Sequence, residues 1–238
     1  MMENRTELFK DIYLPKKALV IYQSEQDEKN VYVEAYDMNR QGKPINAHPL
    51  SLAETAALAQ CLQTSPELSN DYTRCEGLIP EKVLYIHPHK GYAIWHTPAG
   101  QVDMLFKEDL RIPSGKAFVP PLLWKADKQS LHLYAMGNHR KPTIHTALFH
   151  APFFNMHDTG LVCMGTVDID MQDIHSLEAF MKQWEHYYWN SYFSHLIADV
   201  SPVAGNIVQL WQNQVSTGNK FPLEVLKKNG KTIKDLIV

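Results

Sequence analysis

Four side chains between positions 150 and 195 have types that do chemistry together: His150, Asn155, Cys163 and His195. A cysteine thiolate attacks an acyl thioester readily. Exchange of one thioester for another is nearly balanced in energy, so an accessible sulfur with some thiolate character is the main requirement. A nearby Asn side chain can give an N–H to the oxyanion that forms when an amine attacks the thioester carbonyl, a contact typically worth about 3 kcal/mol. A His can take the proton of that amine or raise the thiolate fraction of the cysteine. Each residue also has a plainer reading. Free Cys is among the most buried residue types, and Leu161-Val162-Cys163-Met164 is an apolar run. Asn155 suits a turn. His150 and His195 suit packing beside the aromatics that flank them.

The elements that must position these groups lie between Thr143 and Asp168. Alternation of Ile144, Thr146 and Leu148 with His145, Ala147 and Phe149 predicts a strand. Pro152, which has no N–H to give, breaks its ladder. Asn155 to Gly160 is a run of turn formers, and Leu161 to Val167 resumes as a short apolar stretch around Cys163. A strand, a break, a turn and a helix pattern in that order present a nucleophile at the end of a sheet, with His150 at the strand's end placed to orient the turn.

These residues resemble a known superfamily. Phe149-His150-Ala151-Pro152, Asn155 and Asp158-Thr159-Gly160-Leu161-Val162-Cys163-Met164-Gly165 are similar to the active-site region of ubiquitin-conjugating enzymes, where a His-Pro-Asn turn precedes the cysteine and a helix follows. The closer resemblance is to the divergent prokaryotic branch typified by protein B of the PRTRC system. That branch reads His-Ala-Pro-Phe-x-Asn, then Val-Cys-Leu-Gly, then a Trp-rich helix ending in Phe-(Thr/Ser)-His. Trp184 to Tyr192-Phe193-Ser194-His195 stands in the last place here. The match covers roughly 149–195. Ala151 to Phe154, between His150 and Asn155, departs from the general pattern. The resemblance implies a ubiquitin-conjugating-like fold, Cys163 as the residue that carries a ubiquitin-like modifier, and Asn155, His195 and His150 as its assistants. It also implies as partners a ThiF-like adenylating enzyme and a small ubiquitin-like protein, with a JAB-type peptidase as a further associate.

Periodicity supplies the rest of the architecture. Lys17–Tyr22 and Val31–Tyr36 read as a hairpin ended by Gln41–Pro44. Ser51 with Glu54 is a capping box opening a helix from Leu52 to Gln63. These belong to an N-terminal extension over 1–77. From 78 to 238 the pattern is sheet first and helices after. Strands are expected at Val83–His87, Tyr92–His96, Gln101–Phe106, Lys116–Val119 and Ser130–Ala135, joined by adjacent turns as an antiparallel meander. Ile174, Leu177, Met181, Trp184 and Tyr188 share one helical face, with Asp173 as cap. Ser201-Pro202 is expected to open a second helix, and Pro222–Lys228 a shorter one stopped by Asn229-Gly230, with a last turn after Thr232. The fold class is therefore α+β: a meander sheet with C-terminal helices packed on it.

Composition narrows the function. A chain of 238 residues can bury a sizeable core. A formal net charge of −3 and an isoelectric point near 6.4 argue against nucleic-acid or membrane attraction. No apolar run is long enough to span a bilayer, and Met1–Lys10 lacks the apolar core of a secretion signal. Three cysteines without a C-x-x-C suggest free thiols in a reducing cytoplasm. Cys61 reads as core, and Cys75 as a loop residue without a role. His87-x-His89 and the pair His139 and His145 lack the further ligands that zinc needs, and no phosphate loop is present, so no metal or organic cofactor is expected. Asp168, Asp170 and Asp173 read as helix-capping residues, or as acids near an attacking amine. Two other readings of Cys163 stay open: a hydrolase using Cys163 and His195 as a dyad, and a non-catalytic scaffold in which Cys163 is buried.

Overall fold

The computed structural model describes residues 14–27, 30–62, 71–197 and 201–237. The chain divides into two compact units, 1–68 and 69–238. In the smaller unit, β1 (Lys17–Gln23) pairs antiparallel with β2 (Val31–Met38), placing Leu19 opposite Ala35. The residues expected to end this hairpin turn it into a third strand. The Asn39 side chain accepts from the Gln41 and Lys43 backbones, Gly42 takes φ +74°, and β3 (Pro44–Pro49) returns along β2. Pro44 is tolerated because it is the first residue of an edge strand. Helix α1 (Leu52–Leu62) carries the expected capping box: Ser51 N–H donates to Glu54 Oε2 at 3.1 Å, and Glu54 N–H to Ser51 Oγ at 3.3 Å. The same Glu54 carboxylate holds Lys17 of β1 and His48 of β3. The side chain of Cys61 lies outside the described residues.

The larger unit is built on six strands in the order β12-β10-β9-β8-β5-β4. These are β4 (Val83–His87), β5 (Tyr92–Thr97), β8 (Leu122–Ala126), β9 (Leu131–Met136), β10 (Ala147–His150) and β12 (Lys228–Thr232). The meander is interrupted between β5 and β8. β6 (Gly100–Phe106) and β7 (Gly115–Val119) leave it as a separate hairpin, so β5 pairs with β8, Trp95 lying opposite Trp124. β8, the sheet's central strand, is apolar on both faces: Leu122 and Trp124 point one way, Leu123 the other. That continuous run has no period-2 signature, and it follows Pro120-Pro121, so the sequence reading passes over it.

Helix α2 (Leu177–Trp189) covers one face of the sheet, burying Phe180, Trp184 and Tyr188. Trp95 and Trp124 stack at 5.9 Å beneath it, with Tyr188 edge-on to Trp124 at 5.5 Å. The cap is Ser176, whose Oγ accepts from Ala179 N–H, and not Asp173: Asp170 closes a separate turn onto Gln172 first, which holds Asp173 and Ile174 outside the helix. The second helix also starts later than expected. Ser201 folds its hydroxyl onto the carbonyls of Val203 and Gly205, and α3 (Ile207–Thr217) begins at its cap Asn206. Where a third helix was expected, a single 3₁₀ turn (Leu223–Val225) leads into β12. Asn229-Gly230 is no helix stop. Gly230, at φ +80°, sits where the β10–β12 register shifts, the left-handed residue of a bulge. The 3₁₀ turn Ile233–Leu236 after Thr232 then covers the sheet's other face with Ile233 and Leu236. Among the described residues no helix is long and apolar enough to cross a membrane.

Candidate active site

The sequence around Asn155 is built from below upward. Ala151, Phe153 and Phe154, residues that depart from the general His-Pro-Asn pattern, are at most 3 % exposed. Phe153 is the centre of an aromatic stack, with Trp211 of α3 at 5.5 Å and 16° and Phe193 at 5.7 Å and 17°. The Trp211 indole donates to the Pro152 carbonyl at 2.7 Å, so this buried break in the ladder has its acceptor satisfied. β10 is shorter than the alternation predicts. It spans only Ala147–His150, because residues 143–146 form a turn closed by Thr146 N–H onto the Thr143 carbonyl.

Above this plug the backbone turns at Asn155, which has φ +59°, a left-handed conformation open to Asn at small cost. Asn155 joins three segments. Its N–H donates to the His195 carbonyl at 2.9 Å, and its carbonyl accepts from Cys163 N–H at 2.8 Å. Its side-chain Oδ1 accepts from Ser194 N–H (3.1 Å), Ser194 Oγ (2.8 Å) and His195 N–H (3.3 Å). Its Nδ2 donates to the Tyr192 carbonyl at 2.8 Å. The amide can sit only this way round, since a flip would set NH₂ against two backbone N–H groups and Oδ1 against a carbonyl. Asn155 thereby caps the free edge of β11 (Tyr192–Phe193), the two-residue strand that pairs parallel with β6.

Cys163 is reached through a tight loop. Met156 pairs with Val162, and Gly160 N–H closes onto the His157 carbonyl. The loop is strapped to the first half of β9 by Val162 N–H to the Leu131 carbonyl and by Leu133 N–H to the Gly160 carbonyl, both 2.8 Å. β10 takes the second half of β9. The apolar run after Gly160 therefore makes two single bridges rather than a strand. Cys163 is a free thiol, half-buried, and belongs to neither hydrophobic cluster.

Main-chain hydrogen bonds through Asn155 thus link the backbones of Cys163 and His195, although Cys163 itself is not among the residues that line the cleft beside them. His195 is exposed, its Nδ1 2.8 Å from Ser194 Oγ. His150 ends β10 half-buried, its N–H on the Lys227 carbonyl. Burial, only partly offset by Asp158, pulls its pKa below the usual imidazole value. Among the described residues no hydrogen bond ties its ring to Asn155, Cys163 or His195. A cleft of about 540 Å³ opens beside the site, lined by Asn155, Met164 to Val167, Asn190 to Tyr192, Ser194 and His195, with Lys107 and Asp109 on its far wall. The acidic group at the cleft is Asp109, from the β6–β7 connection; Asp168, Asp170 and Asp173 are not in its wall. Ser194, Lys107 and Asp109 had no role in the sequence reading. Ser194 was visible only as the residue beside His195, and the other two are brought in by the β11–β6 pairing, which no local pattern announces. Cys75 is half-buried against the core, and burial together with Glu178 raises its thiol pKa. Among the described residues no three His, Cys, Asp or Glu side chains are grouped to hold a metal ion.

The family model for prokaryotic E2 family D matches residues 61–229. No curated protein and no solved structure matches the chain.

Proposed function

We propose, from the premise that the chain belongs to prokaryotic E2 family D, a ubiquitin-conjugating-like family, that Cys163 accepts a ubiquitin-like modifier as a thioester and passes it to an amine. In the first step the Cys163 thiolate attacks the acyl carbon of the modifier held as a thioester on an adenylating enzyme of the ThiF type. A new C–S bond forms, the donor's C–S bond breaks, and the donor thiolate leaves. In the second step an amine attacks that carbon, the C–N bond forms, the C–S bond breaks, and the Cys163 thiolate leaves as the amine gives up its proton. Asn155 has a second Nδ2 proton beyond the one given to Tyr192, available for the oxyanion. His195 takes the amine's proton. His150 contributes by closing the strand that leads into the turn, and the motif at 149–195 favours the PRTRC branch.

The observation that carries this reading is the join at Asn155, which hydrogen-bonds to both Cys163 and His195 beside an open cleft. The hydrolase reading needs a thiol–imidazole contact. Instead the His195 ring engages Ser194, and among the described residues no hydrogen bond joins it to Cys163. The scaffold reading needs a Cys163 sealed in the core, and this one is half-buried.

A small acyl thioester, acetylglycine thiophenyl ester, replaces the unidentified modifier in the test. Incubation should give an acyl adduct that peptide mapping places on Cys163 and that free thiol removes. Added free lysine should discharge it to an amide faster than it discharges the same adduct on the unfolded chain. An adduct that persists in Cys163→Ala, or discharge no faster than on the unfolded chain, overturns the reading.

A further inference from the structure

The hydrogen bonds around Ser194 fix more than a backbone. Its hydroxyl has a single proton, and that proton is committed to Asn155 Oδ1 at 2.8 Å, an oxygen whose identity the surrounding amides dictate. His195 Nδ1 also lies 2.8 Å from the same Ser194 Oγ. With the hydroxyl proton already given away, Ser194 Oγ can only accept in this second bond, so the imidazole must donate through Nδ1–H. We infer that Ser194 is a positioning residue that holds neutral His195 in the Nδ1–H tautomer, leaving the lone pair on Nε2 as the proton acceptor for the amine entering the cleft.

This rests on the transfer reading above and deepens it. As the amine nitrogen bonds to the acyl carbon, Nε2 takes its proton. Nδ1–H stays on Ser194 Oγ, the imidazolium that forms is held there, and the C–S electron pair returns to Cys163. An unassisted imidazole prefers its proton on Nε2, the opposite arrangement. Both Ser194 and His195 line the cleft, so the proton acceptor is delivered where substrate can reach it.

The test has two arms on the full chain. Long-range ¹H–¹⁵N correlation spectra report the His195 tautomer with no acyl group present: wild type should show Nδ1–H, and Ser194→Ala should shift toward Nε2–H. Discharge of the acetylglycyl–Cys163 adduct to free lysine, measured as a first-order rate per adduct already formed, should slow about tenfold in Ser194→Ala and recover in Ser194→Thr. Threonine keeps the hydroxyl, so a purely steric role of Ser194 would not give this recovery pattern. A wild-type Nε2–H tautomer overturns the inference, as does an unchanged discharge rate in Ser194→Ala when the tautomer has shifted. If wild type shows Nδ1–H but forms no adduct on Cys163, the transfer function fails while the assigned Ser194–His195 bond stands.

Discussion

Gly160 brings the loop carrying Cys163 close against the sheet, and Gly160→Ala should be strongly destabilising. Gly160 has φ +90°, and a Cβ built there would lie 2.4 Å from Cε1 of the Tyr134 ring, 2.5 Å from Cζ and 2.9 Å from Oη. The ring has no room to retreat: Tyr134 is 1 % exposed, and its hydroxyl is tied to the Thr159 carbonyl at 2.7 Å. An alanine there costs about 1–3 kcal/mol in backbone strain, about 1–3 kcal/mol in overlap, and about 1 kcal/mol if the tyrosine hydroxyl loses its acceptor. The expected total is about 5 kcal/mol. Gly165→Ala, two residues past Cys163, provides the reference. It also has a positive φ, +59°, but nothing lies within 4 Å of its Cβ, so it should cost only about 1 kcal/mol. All five tryptophans lie in the larger unit, so urea unfolding followed by their fluorescence reads that unit alone. In a Tyr134→Leu background the overlap and the hydroxyl term should both vanish and Gly160→Ala should lose about 3 kcal/mol of its cost, a coupling that isolates the contact. Equal destabilisation by Gly160→Ala and Gly165→Ala, or no coupling to position 134, would refute the close-approach argument.

Three other outcomes follow from the same frame. Asn155→Ala should lose about 3–5 kcal/mol of stability, from the orphaned Ser194, His195 and Tyr192 backbone groups and from alanine in a left-handed turn. Exchange of the Cys163 amide hydrogen, now bonded to Asn155, should speed up with it. Trp211→Phe should cost about 2–3 kcal/mol by stranding the Pro152 carbonyl in the core, measured in the same urea titration by near-ultraviolet dichroism. His96, His132 and His150 are all pulled below the ordinary imidazole pKa, chiefly by burial. The unfolded chain therefore binds their protons first, and the larger unit should lose stability as pH falls through about 6.5, the ordinary value. Urea midpoints at pH 7.5 and 5.5 check the sign, and His132→Gln should flatten the slope.

Much of this was legible because local rules and tertiary packing agreed. The short strand runs of β4, β5 and β6 between turn residues, the Ser51–Glu54 box and the apolar face Leu177-Met181-Trp184-Tyr188 each point to the element that forms. The failures occur where two local signals compete. Ser201-Pro202 and Asn206 both look like helix starts, and the Val203–Leu226 bridge decides for the second. Asn229-Gly230 is a stop signal in a helix and a bulge in a strand, and only the pairing of β12 with β10 selects the bulge. β8 has no periodicity to read because both its faces are buried. At the site, the order His150, Asn155, Cys163, His195 was visible, but the way Asn155 joins the backbones of Cys163 and His195 was not. Its six hydrogen bonds reach partners 8 to 40 positions away, and no window on the sequence contains them.

The chemistry proposed for Cys163 explains why such a site would spend its structure on position rather than on charge. Transfer between thioesters is close to thermoneutral, and an acylated cysteine is already activated toward amines. What remains is to hold the acyl carbon, an oxyanion donor and a proton acceptor in register, where an error of an ångström costs more than a weak base. The aromatic stack beneath Asn155 serves that end. Phe153, Phe193 and Trp211 are flat, buried side chains with few rotamers, and two of them belong to the segments that Asn155 ties together. A small polar turn bolted to a rigid apolar base can be exposed to solvent, open to a large acceptor, and still fixed. The four residues 151–154 that depart from the general pattern are then the foundation that holds Asn155 in place, with Phe153 and the Pro152 carbonyl anchored to Trp211 of α3.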